Sequence, residues 1–166
     1  MSPGTSLTGI PGLCTDSGTI RSTAESAVAQ AELTSAYDTI SAQPCLTISA
    51  LLDGQTLAPG VYCVPPATSN LTGTLTLNGS GVYMFRFSST LITSSTGGVN
   101  LIGGASCGNV HWQVGSSATL AGSFAGNVMA FSSITVNPGT TLTGRALARN
   151  AAVTMTTATV SNASCN

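Results

Sequence analysis

Along most of the chain, apolar and polar residues alternate in short runs broken by Gly, Asn and Pro, and a single stretch departs from that pattern. From Ser22 to Ile40 the sequence STAESAVAQAELTSAYDTI is rich in Ala and free of Gly and Pro. Ser22, followed three positions later by Glu25, forms a capping box, so the spacing predicts one long helix over about residues 22–42, stopped by Pro44. Ala24, Val28, Ala31, Leu33, Ala36, Tyr37 and Ile40 give this helix a broad apolar side that must lie on something.

Beyond Leu57 the alternating runs repeat. Asn109, Asn127 and Arg145 open successive blocks 18 residues apart, NVHWQVGSSATLAGSFAG, NVMAFSSITVNPGTTLTG and RALARNAAVTMTTATVSN. Each block holds three strand-like pieces, as one turn of a three-sided parallel β-helix requires, and less regular turns start near Val61 and Val82. The first pieces are apolar on both alternations, as doubly buried strands are, and belong beneath the helix. The second pieces point Ala118, Leu120, Ile134, Val136, Val153 and Met155 inward and leave Ser117, Thr119, Ser133, Thr135 and Thr154 outward. The third pieces point Phe124, Leu142 and Val160 inward, with Ser123 and Ala125, Thr141 and Thr143, and Thr159 and Ser161 outward. On successive turns such positions make a flat grid of side chains that are stiff at χ1, able to hold surface water in regular order.

Composition agrees with that picture and narrows the chemistry. Ser and Thr supply more than a quarter of the residues, whereas charged residues are only 5% and Lys is absent, so the chain cannot neutralise a run of phosphates. Nucleic acid and membrane surfaces are therefore not expected partners. With 42% hydrophobic residues the 166-residue chain should fold as one domain over 1–166. Asp16, Glu25, Glu32, Asp38 and Asp53 are its only carboxylates, and His111 has no nucleophile near it in any motif, so no catalytic residue, cofactor or metal is expected. Five cysteines allow one or two disulfides, of which Cys14 with Cys45 is preferred because these residues flank the helix. Acceptor sequences for N-glycosylation start at Asn70, Asn78 and Asn162 and fit export.

The segments SPGTSLTGIPG, AQAELTSAYD, LAPGVY, LTGTLTLNG, VYMFRFSSTLITSS, NVHWQVGSSATL and FAGNVMAFSSITVNPGTTLTGRALARNAAVTM occur in that order, and WQVGSSATL and LTGRALAR are especially distinctive. In them the chain resembles, over almost its whole length, the microbial ice-binding (antifreeze) family that carries the domain of unknown function 3494. The resemblance implies a mostly β fold, a right-handed parallel β-solenoid of triangular cross-section with one long α-helix packed alongside. It also implies a secreted monomer without a protein partner that binds ice crystals and restrains their growth and recrystallisation. Set against the family, the first strands ahead of SPGT are expected to be missing from this sequence, with solenoid turns over about 1–13 and 57–162. The family's loose T-A/G-x-T/N pattern falls at the start of the third face. There Thr93-Ser94-Ser95-Thr96 nearly fits it, Pro138-Gly139-Thr140-Thr141 and Thr156-Thr157-Ala158-Thr159 fit in part, and Ala121-Gly122-Ser123 is shortened by about two residues. The primary face is thus expected at Thr74, Thr76, Thr93, Ser95, Thr96, Ser123, Ala125, Thr140, Thr141, Thr143, Thr157, Thr159 and Ser161, with the second pieces as the alternative. Its irregularity implies moderate activity.

The rival reading is a carbohydrate-binding or adhesive surface module, since parallel β-helices also carry such functions. Sugar sites favour aromatic platforms, and here aromatics are 5% of residues, with Trp112, Tyr83, Phe85 and Phe131 expected in the core or under the helix.

Overall fold

The computed structural model describes residues 23–165. The expected helix spans Thr23–Ser41 as α1, and the remainder is a coil of parallel strands. In chain order these are β1 (Leu46–Thr47), β2 (Thr56–Leu57), β3 (Gly60–Val64), β4 (Thr74–Asn78), β5 (Tyr83–Phe87), β6 (Leu91–Ile92) and β7 (Gly98–Ile102). A single 3₁₀ turn at Cys107–Asn109 leads to β8 (Val110–Val114), β9 (Ala118–Leu120), β10 (Ser123–Ala130), β11 (Ile134–Val136), β12 (Thr141–Ala148), β13 (Val153–Met155) and β14 (Thr159–Ser161).

The strands lie in three stacks. The first runs β1, β3, β5, β8 and then the C-terminal halves of β10 and β12; the second is β6, β9, β11, β13; the third is β2, β4, β7, the N-terminal halves of β10 and β12, and β14. Because β10 and β12 continue from the third stack into the first, those two stacks form one curved sheet of ten strands. Glycine makes the continuity possible. Gly126 and Gly144 stand opposite each other where each eight-residue strand bends, both at positive φ, and a Cβ on Gly144 would lie 2.0 Å from the Gly126 carbonyl oxygen.

Inward residues meet in one core. Tyr62 stacks on Phe85 at 5.4 Å and Phe85 on Trp112 at 4.2 Å, and Trp112 reaches Phe124 at 4.7 Å, so an aromatic cluster spans three turns. The Trp112 indole N–H donates to the Ala125 carbonyl at 2.9 Å, satisfying the cluster's buried polar group. Burial of Ala118, Leu120, Ile134, Val136, Phe124 and Leu142 follows the alternation read from the sequence. In the last turn Met155 and Val160 are exposed and Val153 is half-buried, because no further turn covers them among the described residues.

The helix lies on the outer side of the first stack, but along a narrower stripe than its composition suggests. Leu33, Tyr37 and Ile40 bury against Met129, Met84 and Leu147, whereas Val28, Ala31 and Ala36 remain exposed. Polar contacts fix the placement: the Tyr37 hydroxyl donates to the Val114 carbonyl at 3.0 Å, Gln30 Nε2 to the Ala148 carbonyl, and Arg149 pairs with Asp38 at 2.9 Å. Phe131, expected in the core or under the helix, lies beside the helix, against Tyr37 and Arg149, but at the edge of the stack, where it is 43% exposed.

The preferred cysteine pairing is corrected. Cys45 is bonded to Cys63, and Cys107 to Cys165. The chain leaving the helix runs straight into β1, which pairs with β3 in the register Thr47 opposite Cys63, so Cys45 arrives beside a cysteine of the next turn. Cys14 and the expected turn at 1–13 lie outside the described residues.

Candidate functional site

The third stack presents two rows of outward side chains held in register by the strand ladder. One row is Thr74, Gly98, Ser123, Thr141 and Thr159, each paired with the next. The other contains Thr56 opposite Thr76 and Thr76 opposite Asn100, then Ala125 opposite Thr143 and Thr143 opposite Ser161. Rows on one strand are separated by about 6.5–7 Å, and steps from strand to strand by about 4.8 Å. Leu75, Phe124 and Leu142 lie between the rows and point into the core, so the outward hydroxyls and methyls stand on a packed base.

No ionisable residue occupies either row. Asp53 sits at the edge, where its carboxylate accepts from the backbone N–H groups of Thr72 at 2.7 Å and Gly73 at 2.8 Å and from the Thr72 hydroxyl. Slight desolvation pushes its pKa upward, but these bonds outweigh it and hold the carboxyl below its ordinary value. Among the described residues, the hydroxyls of Thr74, Thr76, Ser123, Thr141, Thr143 and Thr159 have no protein partner and are left to water.

Several expected surface residues are placed elsewhere. Thr93 is buried at 4% exposure, its hydroxyl donating to the Ala121 carbonyl at 2.9 Å and accepting from the Ala121 N–H at 2.7 Å. The connection from β9 to β10 has only Ala121 and Gly122, two residues fewer than the four from β11 to β12, and the Thr93 side chain completes its hydrogen bonding. Thr140 is buried at 1% and bonds the Leu120 carbonyl, since the alternation that turns Thr141 and Thr143 outward turns Thr140 inward. Ala125 is outward in register but only 7% exposed, its one methyl lying low beside Thr143. Ser95 and Thr96 are exposed on the turn before β7, and the Thr96 hydroxyl is tied to the Thr72 carbonyl at 2.7 Å. Thr157 is exposed at φ 50°. Thr56, Gly98 and Asn100 belong to the rows although sequence reasoning passed over them; β2 is two residues long, too short for its alternation to register.

The second stack offers one row, with Ile92, Thr119, Thr135 and Thr154 in register. Beside it the Ser133 hydroxyl donates to that of Ser117 at 3.1 Å. Between the helix and the first stack lies an open groove of about 460 Å³ lined by residues including Glu32, Ile40, Met84, His111 and Met129. Burial, with a smaller push from Arg145, lowers the His111 pKa, so the imidazole is neutral at pH 7. Among the described residues no cluster of three or more His, Cys, Asp or Glu could hold a metal ion, and no helix is long and apolar enough to cross a membrane.

The sequence pattern of the ice-binding-like family matches residues 3–161. The chain belongs to this family. A relative named ice-binding protein from Nostoc sp. (strain HG1) is 40% identical over 98% of the chain, which spans 63% of that relative's length. Coverage of the curated relatives' own length is thus below two thirds, and it falls to 12% for ice-binding protein 1 of Shewanella frigidimarina (strain NCIMB 400), 35% identical over 63% of the chain. The crystal structure of an ice-binding protein from the Antarctic ascomycete Antarctomyces psychrotrophicus superposes with a TM-score of 0.89 at 35% identity, over 96% of this chain and 82% of that one. The ice-binding-like family is not an enzyme family.

Proposed function

We propose that the protein adsorbs to ice through the outward side of the third stack and so restrains crystal growth and recrystallisation. The observation that carries this reading is the pair of register-locked, uncharged rows containing Thr74, Thr76, Ser123, Thr141, Thr143, Thr159 and Ser161. Thr is fixed at χ1 before any ligand arrives, so the rows forfeit little entropy when ordered water on them merges with a crystal. Membership of the ice-binding-like family supports the same ligand. The finer features proposed with it are a right-handed coil of triangular section, a single-domain monomer, a non-enzymatic role and a place outside the cell. Two disulfides support the last, since they persist in oxidising compartments. Gly98, Asn100 and the short turn before β10 interrupt the face, which supports moderate rather than strong activity.

The second stack is the competing surface, favoured by the exact register of Thr119, Thr135 and Thr154. Replacing Thr141 with Tyr and, separately, Thr135 with Tyr separates the two, comparing ice recrystallisation inhibition at equal folded fraction. T141Y is expected to raise the protein concentration needed by about tenfold or more, equivalent to roughly 1.4 kcal/mol of adsorption free energy. T135Y is expected to leave it unchanged. The reverse result moves the site to the second stack, and no effect of either rejects both faces.

A further inference from the structure

The five-membered row on the third stack has one position without a side chain. Gly98 stands opposite Thr74 on one side and Ser123 on the other, and the row continues through Thr141 and Thr159. Its neighbours explain their own glycines. A Cβ on Gly97 would lie 2.6 Å from the Leu71 carbonyl oxygen, and Gly122 has a φ of 78° with a Cβ that would lie 2.1 Å from the Gly97 carbonyl oxygen. Gly98 has no such reason. It is not among the glycines at positive φ, and a Cβ there would meet only the Ser123 carbonyl oxygen, at 3.7 Å, an ordinary contact.

We infer that Gly98 sets the extent of the docking surface, dividing the row into Thr74 on one side and Ser123, Thr141 and Thr159 on the other. The inference rests on the third stack being the ice-binding face. The unbroken part then covers two strand steps, about 10 Å, whereas a side chain at 98 would join four steps, about 19 Å. Asn100 reinforces the division, because opposite Thr76 in the second row it places a longer side chain without the β-branch that stiffens Thr. Gly98 is thus a position that limits how tightly the protein holds a crystal, and the backbone there has room for a Cβ.

The test is Gly98→Thr, with Gly98→Ala beside it as a smaller change that fits the 3.7 Å contact. Thermal hysteresis and recrystallisation inhibition are measured at equal folded fraction for each, alone and combined with T141Y. G98T is expected to increase activity about twofold, in line with the length of the joined row. G98A is expected to melt no lower than the parent and to gain less, since it supplies a methyl without a hydroxyl. T141Y is expected to abolish the gain. If T141Y removes activity but folded G98T gives no increase, the role of Gly98 is overturned. If T141Y leaves activity untouched, the third-stack reading itself fails.

Discussion

At the scale of single residues, the same residue type serves opposite purposes according to which way the alternation turns it. Thr141 offers its hydroxyl to water, whereas Thr140 spends its own on the Leu120 carbonyl and Thr93 bonds both backbone groups of Ala121. A pattern matched by residue type, as T-A/G-x-T/N is, cannot separate these roles; the period-2 reading could, and placed Thr141, Thr143 and Thr159 outward correctly. Replacing Thr93 with Val would leave the Ala121 N–H and carbonyl short of a buried partner. A loss of about 1–3 kcal/mol in chemical denaturation is expected. Asp53 gives a pH signature. Its folded pKa lies below the ordinary 3.8, so its contribution to stability is full above that value and is lost as pH falls through the folded value. Asp53→Asn should therefore lower the melting temperature at pH 7, with the difference from the parent shrinking below about pH 4. Thr157 is a β-branched residue at φ 50°, and its carbonyl accepts from the N–H of Gly139, a glycine at φ 75° on the preceding turn. Thr157→Gly removes the left-handed penalty of about 1–2 kcal/mol and adds back about 0.5–1 in chain entropy. The net effect is a melting temperature higher by a few degrees at most.

Among the elements, the helix was the most legible, since a capping box, an Ala-rich run and a following proline all agree. Its contact side was less so, because Ala suits either a buried or an exposed place, and only Leu33, Tyr37 and Ile40 proved to carry the docking. Tyr37→Phe should cost about 1 kcal/mol through the lost bond to the Val114 carbonyl, whereas Leu33→Ala should cost about 2–5 by leaving a void. Urea denaturation of the two variants distinguishes these losses. Pairing of β10 with β12 and of β12 with β14 followed from the 18-residue period, whereas β8 and β9 meet β10 and β11 16 residues on, with Asn127 opposite His111 rather than Asn109, and β11 meets β13 at 19. The continuity of β10 and β12 around a bend was not legible, because glycine in a sequence reads as a break, and here Gly126 and Gly144 let the strand carry on.

For the molecule as a whole, the coil was readable from repetition and the cross-links were not. Cys45 lies next to Cys63 because β1 and β3 are neighbours in space, a fact that spacing along the chain does not contain. The Cys107–Cys165 bond closes a loop of 58 residues and the Cys45–Cys63 bond one of 18. On a chain-entropy account they restrict the unfolded state by about 4 and about 3 kcal/mol. Each double variant, Cys107→Ala with Cys165→Ala and Cys45→Ala with Cys63→Ala, should thus lower the melting temperature by on the order of ten degrees, the first by about 2–4 degrees more than the second. Thermal melts of the two double variants decide it.

The helix also changes how such a column can come apart. A stack whose turns touch only their neighbours can fray from one end, turn by turn. Here α1 and the residues just after it grip several turns at once, the helix through Tyr37 at Val114, Gln30 at Ala148 and Asp38 at Arg149, and the following Gln43 carbonyl through Arg86. It acts as a splint, so opening any of those turns means lifting the rod that holds the rest. Amide protons of β5, β8, β10 and β12 should exchange as one cooperative unit, while those of β13 and β14 exchange sooner.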